Sequence, residues 1–210
     1  MKKKVIVFYG KKGSGKDTCY ELTKDIIENE TNLTVNKLSF AGKVKDIVWD
    51  VFGNEIKDRE RIYGEIDKKE EPIEGWEIPE NIDFPEKYWT GRRLLQWYGT
   101  DVCRNVYGNV WVDFLAKDLK NSKEDIICIT DCRFKNEYDM LNSLSDFDVY
   151  FIKIIKETSD NSFSGHASEQ DMEDFKYDLI IRNDGDFCEL SDALKISMIN
   201  FINIINKGVK

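Results

Sequence analysis

Residues Val5 to Thr18, VIVFYGKKGSGKDT, constrain the fold of this chain more than any other stretch. Val5, Ile6, Val7 and Phe8 form a continuous apolar run, the pattern of a parallel strand buried on both faces, and Asp17 to Glu30 has a helix-favouring composition. Between them the chain must turn sharply. Gly10, Gly13 and Gly15 can adopt backbone conformations closed to other residues. They let N–H groups gather around phosphate oxygens at a helix N-terminus, where the helix dipole favours negative charge. Lys16 then reaches the β- and γ-phosphates of a nucleoside triphosphate. The bland alternative is a glycine-rich strand-to-helix turn that holds no ligand.

A hydroxyl residue is expected directly after that lysine, but Asp17 holds the place and Thr18 comes one residue later. The resulting spacing, GxxGxGKxT, resembles nucleoside and nucleotide kinases more than motor ATPases or switch GTPases. At 210 residues the chain can build one α/β domain with a substantial core, and two independent domains are not expected. A net charge of -9 argues against a polymeric nucleic acid or an anionic membrane as partner, despite Lys2, Lys3 and Lys4. The N-terminus carries no secretory signal and no apolar run approaches the roughly 20 residues that span a bilayer, so a cytoplasmic protein is expected. The five cysteines, Cys19, Cys103, Cys128, Cys132 and Cys188, contain no CxxC pair and read as reduced, mostly buried thiols rather than a zinc site.

Strand and helix patterns alternate along the chain. A second strand is predicted over Thr34 to Phe40 and a helix over Ala41 to Phe52, followed by a charge-dense insertion from Gly53 to Trp89 that holds all three prolines. Its length allows disorder, whereas Tyr63, Trp76, Phe84 and Tyr88 favour packing; it reads as irregular and partly helical. Thr90 can cap a helix through Val106, and a further helix is predicted over Trp111 to Leu119. Then come a strand at Asp125 to Thr130, a helix at Asn136 to Leu144, a strand at Val149 to Ile155, a polar stretch to Gln170, a short strand at Leu179 to Ile181 and a closing helix at Leu190 to Ile205. This order specifies a mostly parallel sheet flanked by helices.

In such a sheet ligands bind beyond the carboxyl ends of the strands, which puts Asp131 on the edge that carries the Gly10 to Lys16 loop. A carboxylate there can hold Mg²⁺ directly or through water, with Arg133 near phosphate oxygens, or it can simply cap a helix. The segment from Trp89 to Leu119 combines Arg92, Arg93, Gln96 and Arg104 with Trp97, Tyr98 and Trp111. Guanidinium groups grip phosphate, an amide reads a base edge and aromatic rings stack on a base, so this face suits an acceptor nucleotide. An amphipathic helix with solvated arginines and core aromatics is the other reading.

Taken in order, GKKGSGKDT, RRLLQWYGTDVCRNVYGNVWV, TDCRFKNEYD, GHASEQ and YDLIIRNDG resemble the deoxynucleoside monophosphate kinases of bacteriophages, and more distantly the dephospho-coenzyme A kinases. The likeness spans nearly the whole chain except about 54–88. It implies a three-layer α/β/α P-loop kinase fold over 1–210, with an acceptor-binding insertion at about 41–121 and a lid at about 156–170. The implied reaction takes a deoxynucleoside monophosphate and ATP, with Mg²⁺, to the diphosphate and ADP, in the host cytoplasm if the chain is phage-encoded. By position, Gly13, Ser14, Gly15, Lys16, Asp17 and Thr18 would bind the donor, with Asn183 near the adenine. Arg92, Gln96, Arg104 and Trp111 would face the acceptor, and Asp131 and Asp17 the metal. Lys16, Asp17, Asp131 and Arg133 would form the catalytic set.

The lid would include Lys156, His166 and Glu169. Unlike related lids it holds no arginine, so lysine would supply charge without a planar fork. His166 reads equally as a solvated or capping residue. Expected partners are the two substrates, with a homodimer as the candidate assembly. Two other readings stay open: a kinase acting on a sugar hydroxyl of dephospho-coenzyme A, and a nucleotide-binding module without turnover.

Overall fold

A computed structural model of the chain describes residues 2–11, 13–82, 84–156, 172–185 and 187–207. Strand β1 (Lys3–Tyr9) is buried from Lys4 to Tyr9, and the glycine loop leads from it into α1 (Lys16–Glu30). Strand β2 (Val35–Leu38) is shorter than the predicted Thr34 to Phe40 because Phe40 already starts α2 (Phe40–Ile56). Two short helices follow, α3 (Glu60–Tyr63) and α4 (Ile66–Glu70), then strands β3 (Pro72–Glu77) and β4 (Tyr88–Thr90). Helix α5 (Gly91–Gln96) is capped by Thr90, whose hydroxyl accepts from the Arg93 N–H at 3.1 Å. The helix does not run on in α geometry to Val106: it widens into a π-helical segment, Trp97–Arg104.

Helix α6 (Val110–Asn121), strand β5 (Ile126–Ile129), helix α7 (Lys135–Asn142) and strand β6 (Phe147–Ile155) come next. A 3₁₀ turn (Met172–Asp174) precedes strand β7 (Leu179–Arg182) and helix α8 (Phe187–Lys207), which starts earlier than Leu190.

The chain divides into two compact units, 1–39 with 115–210, and 40–114. In the first, five strands pair in parallel in the order β2-β5-β1-β6-β7. Strand side chains alternate between faces, which sorts the core. Ile6, Phe8, Ile126, Cys128, Ile152 and Ile154 pack with Cys19, Tyr20 and Ile27 of α1 and with Leu190, Leu194 and Met198 of α8. On the other face, the Tyr138 ring of α7 lies 4.6 Å from Phe151 and 4.4 Å from Phe175, and the Tyr9 hydroxyl donates to the Phe175 carbonyl at 3.2 Å. The result is a three-layer α/β/α sandwich, and each fully buried Ile or Phe contributes roughly 1.5–3 kcal/mol to it. The five cysteines are unpaired; Cys19, Cys128 and Cys132 are buried, and burial pushes the Cys19 and Cys128 thiols up to about 12.

The 40–114 unit has its own core, in which Val44, Val48, Ile56, Ile62, Ile73, Trp89, Leu94 and Trp111 are buried. The aromatics of the supposed irregular stretch pack on one another: Phe52 on Trp76 at 5.8 Å, Phe84 on Trp89 at 5.9 Å, Trp89 on Trp97 at 5.3 Å. Two short helices and an antiparallel hairpin stand where the sequence suggested irregular, partly helical chain; the hairpin is the departure. Helix α5 sits so close to α3 that a Cβ on Gly91 would lie 1.7 Å from the Arg61 carbonyl oxygen. Arg61 is itself tied down, its guanidinium donating to the carbonyls of Glu71 at 2.9 Å and Pro72 at 2.7 Å. Gly91→Ala is therefore expected to destabilise this unit by about 1–3 kcal/mol. All five tryptophans lie in 40–114, so the loss should appear as a lower denaturant midpoint of tryptophan fluorescence; a wild-type midpoint would refute the close approach.

Candidate active site

Two glycines let the loop after β1 lie where it does. Gly10 has φ +151°, and a Cβ there would meet the Ile154 carbonyl oxygen at 2.2 Å, so the loop backbone runs directly over the end of β6. Gly15, at φ +93°, turns the chain into α1, and a Cβ on it would strike the Asn183 amide nitrogen at 2.4 Å. Asn183 follows β7 and holds the loop from that side: its Nδ2 donates to the Ser14 carbonyl at 2.9 Å and its N–H to the Ile155 carbonyl at 2.7 Å. Asn183, expected near the adenine, thus braces the glycine loop. Gly13 and Ser14 lie between, with Ser14 buried, and Thr18 is half-buried in the first turn of α1.

Lys16 is 8 % exposed. Its ammonium donates to the carbonyls of Gly10 at 3.0 Å and Lys11 at 2.8 Å, and lies 3.4 Å from the Ser14 hydroxyl. Desolvation, and then the Arg133 guanidinium, push its pKa down to about 8, against the opposing pull of Asp17 and Asp131. Among the described residues this buried cation is held by neutral dipoles, with no carboxylate bonded to it.

Asp17 is largely exposed, yet its Oδ1 accepts from Lys37 Nζ at 2.5 Å and from the Thr130 hydroxyl at 2.8 Å. Desolvation pushes its carboxyl up, but these two hydrogen bonds and the charges of Lys37 and Lys16 outweigh it and hold the pKa below the usual value. Beyond β5 comes Thr130, then half-buried Asp131 and exposed Arg133. The turn that carries them is fixed by Glu137, 1 % exposed, whose Oε2 accepts from the N–H groups of Arg133 at 2.8 Å and Phe134 at 3.2 Å. Loop, Asp17, Asp131, Arg133 and Asn183 therefore occupy one edge of the parallel sheet.

Sequence reasoning missed Lys37, Thr130 and the role of Glu137. The available signal was their position: Lys37 and Thr130 close two parallel strands at the edge where the loop lies, and Glu137 stands within the TDCRFKNEYD segment.

The acceptor candidates belong to the 40–114 unit. Arg92 and Gln96 stand one turn apart on α5, and Arg104 ends the π-helical segment. Arg92 makes a charge contact with Glu70 that lacks hydrogen-bond alignment at its Nε. Arg93 pairs with Glu86, donates to Gln96 Oε1 at 3.2 Å and lies over the Phe84 ring at 4.6 Å. Trp111 is a correction: it is 2 % exposed, packs on Phe114 and donates its N–H to the Gly99 carbonyl at 2.9 Å, so it presents neither ring face nor donor to a base. It supports the π-helical segment. Lys156 is exposed at the end of β6, and His166 and Glu169 lie outside the described residues.

A sequence model described as deoxynucleotide monophosphate kinase matches residues 73–194, more than half of the chain. The chain belongs to this family. A deoxynucleotide monophosphate kinase homologue of Acanthamoeba polyphaga mimivirus is 29% identical over 197 residues, covering 85% of this chain and 88% of that protein. The deoxynucleotide monophosphate kinase of Enterobacteria phage T4 is 29% identical over 122 residues, covering 56% of this chain and 49% of its own length. The chain thus spans about half of the phage protein and most of the viral one. Among solved structures it is similar to a gluconokinase from Sinorhizobium meliloti 1021 (TM-score 0.45, 13% identity, 99% of this chain and 98% of that one). It is also similar to an APS kinase of Mycobacterium tuberculosis (TM-score 0.42, 11% identity, 95% and 98%).

Membership makes the chain a phosphotransferase whose acceptor is a deoxynucleotide monophosphate. Among the described residues no helix is long and apolar enough to cross a membrane. Lys16 carries a desolvation cost, so Lys16→Met should leave the melting temperature unchanged or raise it while transfer falls by orders of magnitude. Near-native turnover in this variant would overturn the assignment of the loop.

Proposed function

We propose that this chain transfers the γ-phosphoryl group of ATP to a deoxynucleoside monophosphate, with the sheet edge binding the donor and the 40–114 unit binding the acceptor. The observation that carries this reading is the Lys16 ammonium inside a glycine loop, donating to the Gly10 and Lys11 carbonyls, with Asp17, Asp131 and Arg133 at the same edge of the sheet. In-line phosphoryl transfer needs positioning and charge neutralisation and no covalent nucleophile, which is what these groups supply. Loop N–H groups and Lys16 hold the donor phosphates. Arg133 faces charge that builds on the transferred group, and Arg92 and Arg104 orient the acceptor phosphate with Gln96 at its base.

Asp17 and Asp131 also fit Mg²⁺. They are oxygen donors at the sheet edge that carries the glycine loop, and Mg²⁺ is usually bound by one or two carboxylates together with substrate phosphates and water. Bound there, it would neutralise phosphate charge. Asp17 would orient the ion through water.

Coupled detection of ADP with each deoxynucleoside monophosphate, its ribo counterpart and dephospho-coenzyme A tests the reading. ADP release should depend on at least one deoxynucleoside monophosphate. Release with dephospho-coenzyme A alone would move the acceptor to a sugar hydroxyl, and no stimulation by any acceptor would leave a binding module. Arg92→Ala and Arg104→Ala should each raise the acceptor KM or lower kcat about tenfold or more, with the KM for ATP within about twofold. Loss of ATP binding with intact acceptor binding would reverse the assignment.

A further inference from the structure

We propose that Lys37 and Thr130 act together as positioning residues that fix the Asp17 carboxylate for phosphoryl transfer, an inference that rests on Asp17 acting in the reaction as set out above. Asp17 has a short side chain on the first turn of α1 and is 76 % exposed, a setting in which a carboxylate ordinarily samples several orientations. This one is held from two strands at once. Lys37 Nζ, near the end of β2, and the Thr130 hydroxyl, just beyond β5, donate to the same oxygen, Oδ1, at 2.5 and 2.8 Å. β2 and β5 are paired neighbours in which Leu38 stands opposite Ile129, so the residue before one and the residue after the other reach the same place from two directions.

Stability alone does not account for the arrangement. An ion pair between a carboxylate this exposed and a lysine one-third exposed contributes about 0–1 kcal/mol. Thr130, in contrast, is 5 % exposed, and a buried hydroxyl needs a partner; its partner is the carboxylate beside the phosphate-binding lysine. The Lys37 ammonium also lies 5.1 Å from the centre of the Tyr20 ring, which limits where its tip can go. A mobile acid next to Lys16 is thereby given a single direction, and misplacement of a reacting group by about 1 Å can cost about a hundredfold in rate.

Lys37→Met keeps the length of the stem and its contact with Tyr20 but removes the donor and the charge. It should lower kcat about tenfold or more at saturating MgATP and acceptor. The Kd for ATP, measured by calorimetry without acceptor, should stay within about threefold, and the melting temperature should barely move. Lys37→Arg should recover kcat to within about threefold of wild type. Thr130→Val should lower kcat about threefold or more, and it carries the test if Lys37→Met fails to fold.

The decisive comparison is the cycle with Asp17→Asn. In that background Lys37→Met should lower kcat less than twofold further, because the group it positions is already disabled. Lys37→Met within twofold of wild type, or an equal loss with and without Asp17→Asn, would overturn the proposal while leaving Asp17 in its role. A wild-type kcat in Asp17→Asn beside an inactive Lys16→Met would remove the role of Asp17 itself, and the clamp with it.

Discussion

A Cβ on Gly10 would meet the Ile154 carbonyl oxygen at 2.2 Å, and the rest of the site depends on that missing atom. With the loop pressed onto the end of β6, the Gly10 and Lys11 carbonyls stand within reach of the Lys16 ammonium, and Asn183 can grip Ser14 from β7. Three strands thus define one small loop. The sheet matters to function because it fixes the distances among those strand ends, and the loop is anchored to several of them.

The electrostatics follow from the same geometry. A lysine buried among backbone carbonyls and flanked by an arginine is costly to keep charged. The chain as a whole carries -9, so the local excess of positive charge stands against an acidic background.

The sequence announced those elements whose partners are close along the chain. The strand, loop and helix from Lys3 to Glu30 are adjacent, and Asp131 and Arg133 follow directly on an apolar strand. The hairpin at 72–90 was hidden because Pro72 and Gly75 interrupt any alternation within β3 and its pairing with β4 shifts register. Trp111 was misread for a different reason: residue type shows that a ring N–H must be satisfied, but not by which neighbour, here the Gly99 carbonyl. Lys37 and Thr130 are far apart in sequence and meet through the register of β2 on β5, which no local pattern encodes.

The strand order also imposes a schedule on a chain made from its N-terminus. β1 is central, yet its neighbours are β5, with Lys4 opposite Ile126, and β6, with Lys3 opposite Phe147. β1 therefore waits until β5 has been made before either of its edges is covered. The 40–114 unit is contiguous and has its core complete once its last residue is made, so it can condense while β1 is still unpaired. The 40–114 unit is thus expected to fold early, while the apolar run of β1 stays exposed until β5 and β6 are made.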